Sequence, residues 1–164
     1  MYTQDQEDMD EEIQYEDCIL MKANEYFDAP QLYDDLRTID MLEIIGLGNH
    51  PRLAINESYE LSDEAWTILD NDHRMIGSFG IARSGTEGMG VPWLLGTHRM
   101  HLIKRTFIKY SKEWLNRLFN DSYNVLTNYV MIENELSIRW LKWLGAVFNE
   151  SNIEGYQQFS FYKS

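Results

Sequence analysis

From Val91 to Gly145 the chain reads strand, helix, strand, helix, and that order constrains the fold more than any other feature. Val91 to Thr97 is a short apolar run, closed by Gly90 on one side and by polar residues on the other. Between His98 and Asn120 no Gly or Pro interrupts a helix. Ile103, Phe107, Tyr110, Trp114 and Leu118 recur there at threes and fours, which predicts one buried face. Asn124 to Met131 is β-branched and aromatic enough for a strand. Asn134 then opens a helix with Ile138, Leu141 and Leu144 on one side, and Gly145 ends it.

Parallel strands joined through a helix require a right-handed crossover, so the two strands lie side by side or nearly so, with the helix across one face. The carboxyl end of the first strand then meets the amino end of the helix. Such a junction gathers backbone N–H groups and a positive helix terminus, a setting suited to pyrophosphate.

At 164 residues the chain is read as one domain with a real core, behind a tail. The net charge is −13, and eight carboxylates with no Lys or Arg fall in the first 17 residues. We therefore expect residues 1–16 to be an acidic, disordered tail and 17–164 to be the folded domain. A surface of this charge argues against direct nucleic-acid binding. Against that background, His98 to Arg117 carries Arg99, Lys104, Arg105, Lys109, Lys112 and Arg117 with only Glu113 opposing. Two readings stand for that stretch: a solvated helix face, or a local sink for a polyanionic cofactor. No run of twenty apolar residues and no secretory pattern is present, which leads us to expect a soluble protein of the cell interior, or of a particle assembled there. Cys18 is the only cysteine, and the four histidines form no zinc motif, so we expect no metal.

In chain order, Asp17 to Ala23 predicts a strand, and Asp28-Ala29-Pro30 starts a helix with Asp28 as its cap. Asp40 to Ile45 predicts a further helical piece, and Pro51 opens another. Glu64 to Leu69 and Met75 to Ala82 predict a hairpin turning at Asp70 to His73, followed by a glycine loop from Ser84 to Gly90. Two short strands, Ala146 to Asn149 and Gln157 to Tyr162, close the chain.

This order of elements resembles the GNAT acetyltransferase fold. The segment Asn134-Glu135-Leu136-Ser137-Ile138-Arg139-Trp140-Leu141-Lys142-Trp143-Leu144-Gly145 is similar to that family's last conserved helix. Together with Glu64-Ala65-Trp66-Thr67-Ile68, the glycine loop and Pro92-Trp93-Leu94-Leu95-Gly96-Thr97, it also resembles a GNAT-like group among tailed-phage proteins, some with internal virion or assembly roles. The resemblance implies an α/β (α+β) domain. Its central sheet is mixed and mostly antiparallel, with strands four and five splayed and helices on both faces.

It also implies a site. GNAT enzymes bind acetyl-CoA where the fourth strand leaves the fifth, which would pair the backbone of Leu94, Leu95, Gly96 and Thr97 with the pantetheine arm. The family's next loop holds pyrophosphate with the pattern Arg or Gln, two residues, Gly, one residue, Gly or Ala. Here the sequence from Thr97 to Lys104 has no glycine, so side chains of Arg99, Lys104 and Arg105 are expected to stand in. Asn134 either contacts the pantetheine or caps its helix. The family's tyrosine general acid falls at Leu141, which has no proton to give. Candidate bases or water anchors are His98, Glu133, Tyr129 and Glu87; His98 falls at the strand end toward the cleft, and the favoured reading of it is a helix-capping or surface histidine. Two functions are therefore expected. One is an acetyl-CoA-dependent N-acetyltransferase acting on a protein or small amine. The other is a catalytically silent GNAT-fold protein that engages a virion component or host protein, in the host cytoplasm or within a virion, without membrane insertion.

Overall fold

The computed structural model describes residues 11–164. Eight strands form one sheet in the order β1-β2-β3-β4-β5-β6-β8-β7. They are β1 Glu12–Gln14, β2 Cys18–Lys22, β3 Ser62–Asp70, β4 Met75–Arg83, β5 Gly88–Gly96, β6 Tyr123–Met131, β7 Val147–Glu150 and β8 Tyr156–Tyr162. Every neighbouring pair is antiparallel except β5 with β6, the pair joined by the crossover helix. The helices are α1 Glu25–Asp35, α2 Thr38–Gly46, α3 Pro51–Glu60, α4 Lys104–Leu118 and α5 Glu135–Leu144. This is the splayed, mostly antiparallel GNAT-like sheet that the sequence implied. Its expected strands four and five are β5 and β6, because β1 adds one at the start.

Alternation along the strands builds two cores. Phe79 and Ile81 face α4 and α5 with Ile103, Trp114, Leu118 and Leu141, whereas Ala82, Trp93 and Leu95 face α1 and α3 with Leu32, Leu36, Ile55 and Tyr59. Helices therefore cover both faces. Trp114 is the centre of the first core: it stacks on Phe79 at a centroid distance of 5.5 Å and meets Phe107 edge-on at 5.9 Å. Among the described residues no helix is long and apolar enough to cross a membrane.

Four local expectations need correction. Residues 1–10 of the expected tail lie outside the described residues, but β1 within it pairs with β2 from Glu12↔Met21 to Gln14↔Ile19. Burial explains the difference: Ile13 and Tyr15 pack against the first core, and Tyr15 lies 4.6 Å from Tyr110 and 5.6 Å from Trp114, ring to ring. The indole of Trp114 donates to the Tyr15 hydroxyl at 2.9 Å. Helix α1 starts four residues before Asp28, at an Asn24 cap that accepts from the Tyr26 N–H at 3.1 Å. Asp28 is buried inside the helix, accepting from the Asn24 N–H at 2.8 Å and the Thr67 hydroxyl at 2.6 Å. The single helix expected from His98 begins instead as a 3₁₀ turn, Met100–Ile103, and becomes α-helical at Lys104. Finally, β5 begins at Gly88, inside the expected glycine loop.

Trp114→Ala should lower stability by about 3–5 kcal/mol, the usual range for removing a buried large aromatic side chain. Tyr15→Phe, which keeps the ring and removes only the acceptor, should cost about 1 kcal/mol. Urea unfolding of both variants checks this; an unchanged midpoint for Tyr15→Phe would mean that the Trp114–Tyr15 hydrogen bond contributes nothing to stability.

Candidate functional site

The site is a wedge between β5 and β6. Their parallel pairing covers only Gly88↔Tyr123, Met89↔Val125 and Gly90↔Leu126, while β5 stays paired with β4 as far as Gly77↔Gly96. β6 in turn follows β8 to Met131↔Tyr156. Each strand thus remains with its outer neighbour, and the inner edges part beyond Gly90.

Backbone groups on a strand alternate in direction, so one residue in two of β5 faces the wedge. Gly90 pairs with β6, which puts Pro92, Leu94 and Gly96 on the open edge. Proline suits such a position because it has no N–H to present there. The Pro92 carbonyl accepts from the Asn128 side chain at 2.7 Å, a stitch from β6 across the opening. At Gly96 the edge is occupied by the chain itself. The Gly96 N–H donates to Asp40 Oδ2 at 2.8 Å, the Gly96 carbonyl accepts from the Arg37 N–H at 2.8 Å, and Leu36 bridges to Thr97 in antiparallel fashion. The α1–α2 connection therefore pairs with β5 as an added strand would. Only Leu94 turns its N–H and C=O into the wedge with no partner among the described residues.

Side chains fix that connection in place. Arg37 holds Asp40 through two parallel hydrogen bonds of 2.9 and 3.0 Å, the bidentate geometry that guanidinium and carboxylate favour. A Cβ on residue 96 would come within 2.6 Å of Arg37 Nε, so the close approach requires glycine. One turn along α2, Glu43 reaches the other lip of the wedge. Its Oε1 accepts from the Asn134 side chain at 2.8 Å and from the Met131 N–H at 3.4 Å, and its carbonyl accepts from the Tyr156 hydroxyl at 2.8 Å. Helix α2 thus spans the mouth of the wedge, with Asp40 on β5 and Glu43 at the end of β6. Burial pushes the Glu43 carboxyl above the usual carboxylate range, against the pull of its bonds to Asn134 and Met131.

Inside, the wedge is apolar. A cavity of about 100 Å³ is lined by Leu94, Phe107, Trp140, Leu141 and Phe159, among others. That is below the range of typical small-molecule pockets, roughly 300–1,000 Å³. Trp140 donates to Ser111 at 3.1 Å and its rings lie 5.0 Å from Phe107, so α4 and α5 are closed together over the cavity. Leu141, where the resemblance would place a tyrosine, is buried in its wall.

The turn after β5 has likewise used its donors. The Thr97 N–H bonds Ile76 O at 2.9 Å, the His98 N–H bonds Asp35 O at 3.3 Å, the Arg99 N–H bonds the Thr97 hydroxyl at 3.2 Å, and the Met100 N–H bonds Thr97 O at 3.1 Å. Arg99 leans toward Asp70, 3.5 Å away, while Lys104 and Arg105 are exposed in the first turn of α4. His98 pairs with Asp35 at 2.8 Å on the surface. Tyr129 and Glu133 are exposed, and no hydrogen bond or ion pair joins either of them to His98 among the described residues. Glu87 lies in the exposed loop before β5. Asn134 caps α5, accepting from the Ser137 N–H at 3.3 Å, and spends its amide N–H on Glu43. Acetyl-CoA, which the fold implies, is poorly matched by this arrangement: the strand edge at Gly96, the N–H groups at the start of the turn and both polar ends of Asn134 are engaged by the protein. Among the described residues no group of three or more His, Cys, Asp or Glu is placed to hold a metal ion.

Sequence reasoning missed Arg37, Asp40 and Glu43. A signal was present: α2 reads Thr38-Ile39-Asp40-Met41-Leu42-Glu43-Ile44-Ile45-Gly46, an apolar helix whose two carboxylates sit three apart. Acids at that spacing in an otherwise apolar helix point to one shared face with partners.

A family model described as "Bacteriophage T7, probable scaffold protein Gp13" matches residues 75–152, which run from β4 to β7 and contain both lips of the wedge. No curated protein matches the sequence. Among solved structures, the GNAT domain of S. lividans PAT superposes with a TM-score of 0.67 at 10% identity, covering 93% of this chain and 97% of that one. A putative acetyltransferase from Acinetobacter baylyi ADP1 gives 0.66 at 11%, covering 89% and 93%. A GCN5-related N-acetyltransferase from Brucella melitensis gives 0.60 at 13%, covering 93% and 78%. At such identities the likeness is one of fold, and the fold is that of the GNAT acetyltransferases.

Two outcomes follow for α2. Asp40→Ala leaves the Gly96 N–H and the Arg37 guanidinium without their acceptor and should cost about 1–3 kcal/mol. Glu43 has a folded-state pKa raised above its unfolded value, so its contribution to stability is fully present below the unfolded pKa and is lost as pH rises through the folded one. Glu43→Gln should therefore flatten the fall in stability from the acid side toward neutrality. Chemical unfolding across that pH range reads the slope, and an unaltered slope would remove Glu43 as its source.

Proposed function

We propose that the chain is a GNAT-fold protein used as a non-catalytic assembly module that engages a protein component of a phage-type particle. The observation that carries this reading is the pairing at Gly96. Asp40 on α2 takes the N–H, and Arg37 in the α1–α2 connection takes the C=O, of the residue where a pantetheine arm would add to β5. The buried Leu141 at the acid position and the spent N–H groups of the Thr97–Met100 turn support it. So does the similarity of residues 75–152 to a family described as a probable scaffold protein. Its place is then inside a virion or in the cytoplasm of the cell that makes one.

A second reading, acetyl-CoA-dependent transfer to the amine of a protein or small molecule, is supported by one feature. Leu94 still offers its backbone to a wedge of the GNAT kind. This reading needs the α1–α2 connection to leave Gly96 first.

Calorimetry with acetyl-CoA separates the two. The first reading expects no saturable heat at about 1 mM ligand, a binding free energy weaker than about −4 kcal/mol. Saturable binding accompanied by acetylation of any amine would put the second reading first.

A further inference from the structure

We propose that the outer face of α4 and α5 is a docking surface for an acidic polypeptide segment of a partner protein. Six cations stand on it: Lys104, Arg105, Lys109 and Lys112 on α4, and Arg139 and Lys142 on α5. All six are exposed, and among the described residues none forms an ion pair. Of the eight cations elsewhere, Lys22, Arg37, Arg74, Arg83, Arg99 and Arg117 hold carboxylates, while Arg52 lies over the Tyr33 ring and Lys163 donates to the Asn120 carbonyl. In a chain with 27 acids and 14 bases, carboxylates are abundant, yet these two helices carry only two exposed acids, Glu113 on α4 and Glu135 on α5, against the six cations.

The two helices present these charges as one surface. Positions 104, 105, 109 and 112 share a helix face by spacing, and so do 139, 142 and 143. Lys112 lies 4.4 Å from the ring centroid of Trp143, which joins the two rows. Trp143 is 47% exposed and Ile108 42%, so the cations flank apolar surface that an anion alone would leave wet. A segment carrying carboxylates and a few apolar residues matches both properties. The structure already contains one contact of this type on the same helix, since Glu11, from the acidic end of the chain, lies 3.7 Å from Arg117.

Charge complementarity also separates this occupant from nucleic acid. The row from Lys104 to Lys112 is about 12 Å long at 1.5 Å per residue, the reach of about four extended residues. A flexible peptide can follow it and meet little else. A rigid duplex would bring further phosphates toward a molecule whose net charge is −13, a repulsion screened only over about 10 Å at 0.1 M salt. Lys109, Lys112, Arg139 and Lys142 are not among the residues expected to hold acetyl-CoA, so the proposal as carried by these four stands whether or not the wedge takes it.

Fluorescence anisotropy on the full chain tests it. The probe is a labelled peptide alternating Glu with Leu, beside the same peptide with Gln for Glu and a short DNA duplex. The expected result is saturable binding of the acidic peptide alone, weakened by added salt. In a Lys109→Glu, Lys112→Glu, Arg139→Glu variant the affinity should fall by about tenfold or more, equivalent to about 1.4 kcal/mol, at an unchanged melting temperature. Equal binding by the variant, equal binding of the Gln peptide, or tighter binding of the duplex than of the acidic peptide would each overturn the proposal. The melting temperature shows that a loss of binding is not a loss of fold.

Discussion

The two hydrogen bonds at Gly96 decide what the wedge can be. A strand that leaves its neighbour exposes a row of backbone donors and acceptors, and a buried row of this kind must find partners. Here Gly90 finds β6, Pro92 finds Asn128, and Gly96 finds Asp40 and Arg37. The missing Cβ of Gly96 lets the Arg37–Asp40 pair sit directly on the strand. Glu43 and Asn134 then secure the opposite lip, so α2 ties both lips of the wedge together rather than merely lying over it.

That arrangement links packing to function. A ligand that pairs with the edge of β5 must displace the α1–α2 connection, which breaks a bidentate ion pair with a buried partner and uncovers the Gly96 N–H. Uncompensated losses of this kind cost several kcal/mol, comparable to the whole binding energy of a weak ligand. The cavity behind it is small, apolar and roofed by Trp140 on Ser111. Beyond the wedge, the outer face of α4 and α5 carries six exposed cations that form no ion pair among the described residues.

Much of the architecture was legible because apolar period and crossover handedness act locally. The run Val91 to Thr97, the threes and fours of α4, and Gly145, whose φ of 103° marks a helix-ending left-handed residue, could be read from the sequence directly. What was not legible depends on tertiary partners. Asp28 has the composition of a cap but is drawn inside α1 by Thr67, thirty-nine residues away. Tyr15 sits in an acidic stretch and is ordered by Trp114, ninety-nine residues away. Asn134 was ambiguous until Glu43 claimed its amide. His98, Tyr129 and Glu133 have side chains able to move a proton, but no hydrogen bond joins them among the described residues, and His98 pairs with Asp35 instead.

Amide hydrogen exchange at Gly96 tests most directly whether the strand edge belongs to the protein itself. If Asp40 and the α1–α2 connection hold that edge, the Gly96 N–H exchanges slowly, with a protection close to that of the β4–β5 ladder, and acetyl-CoA leaves it unchanged. Fast exchange in the free protein, with protection appearing only on addition of acetyl-CoA, would show that the edge is kept open for the cofactor and would contradict the account.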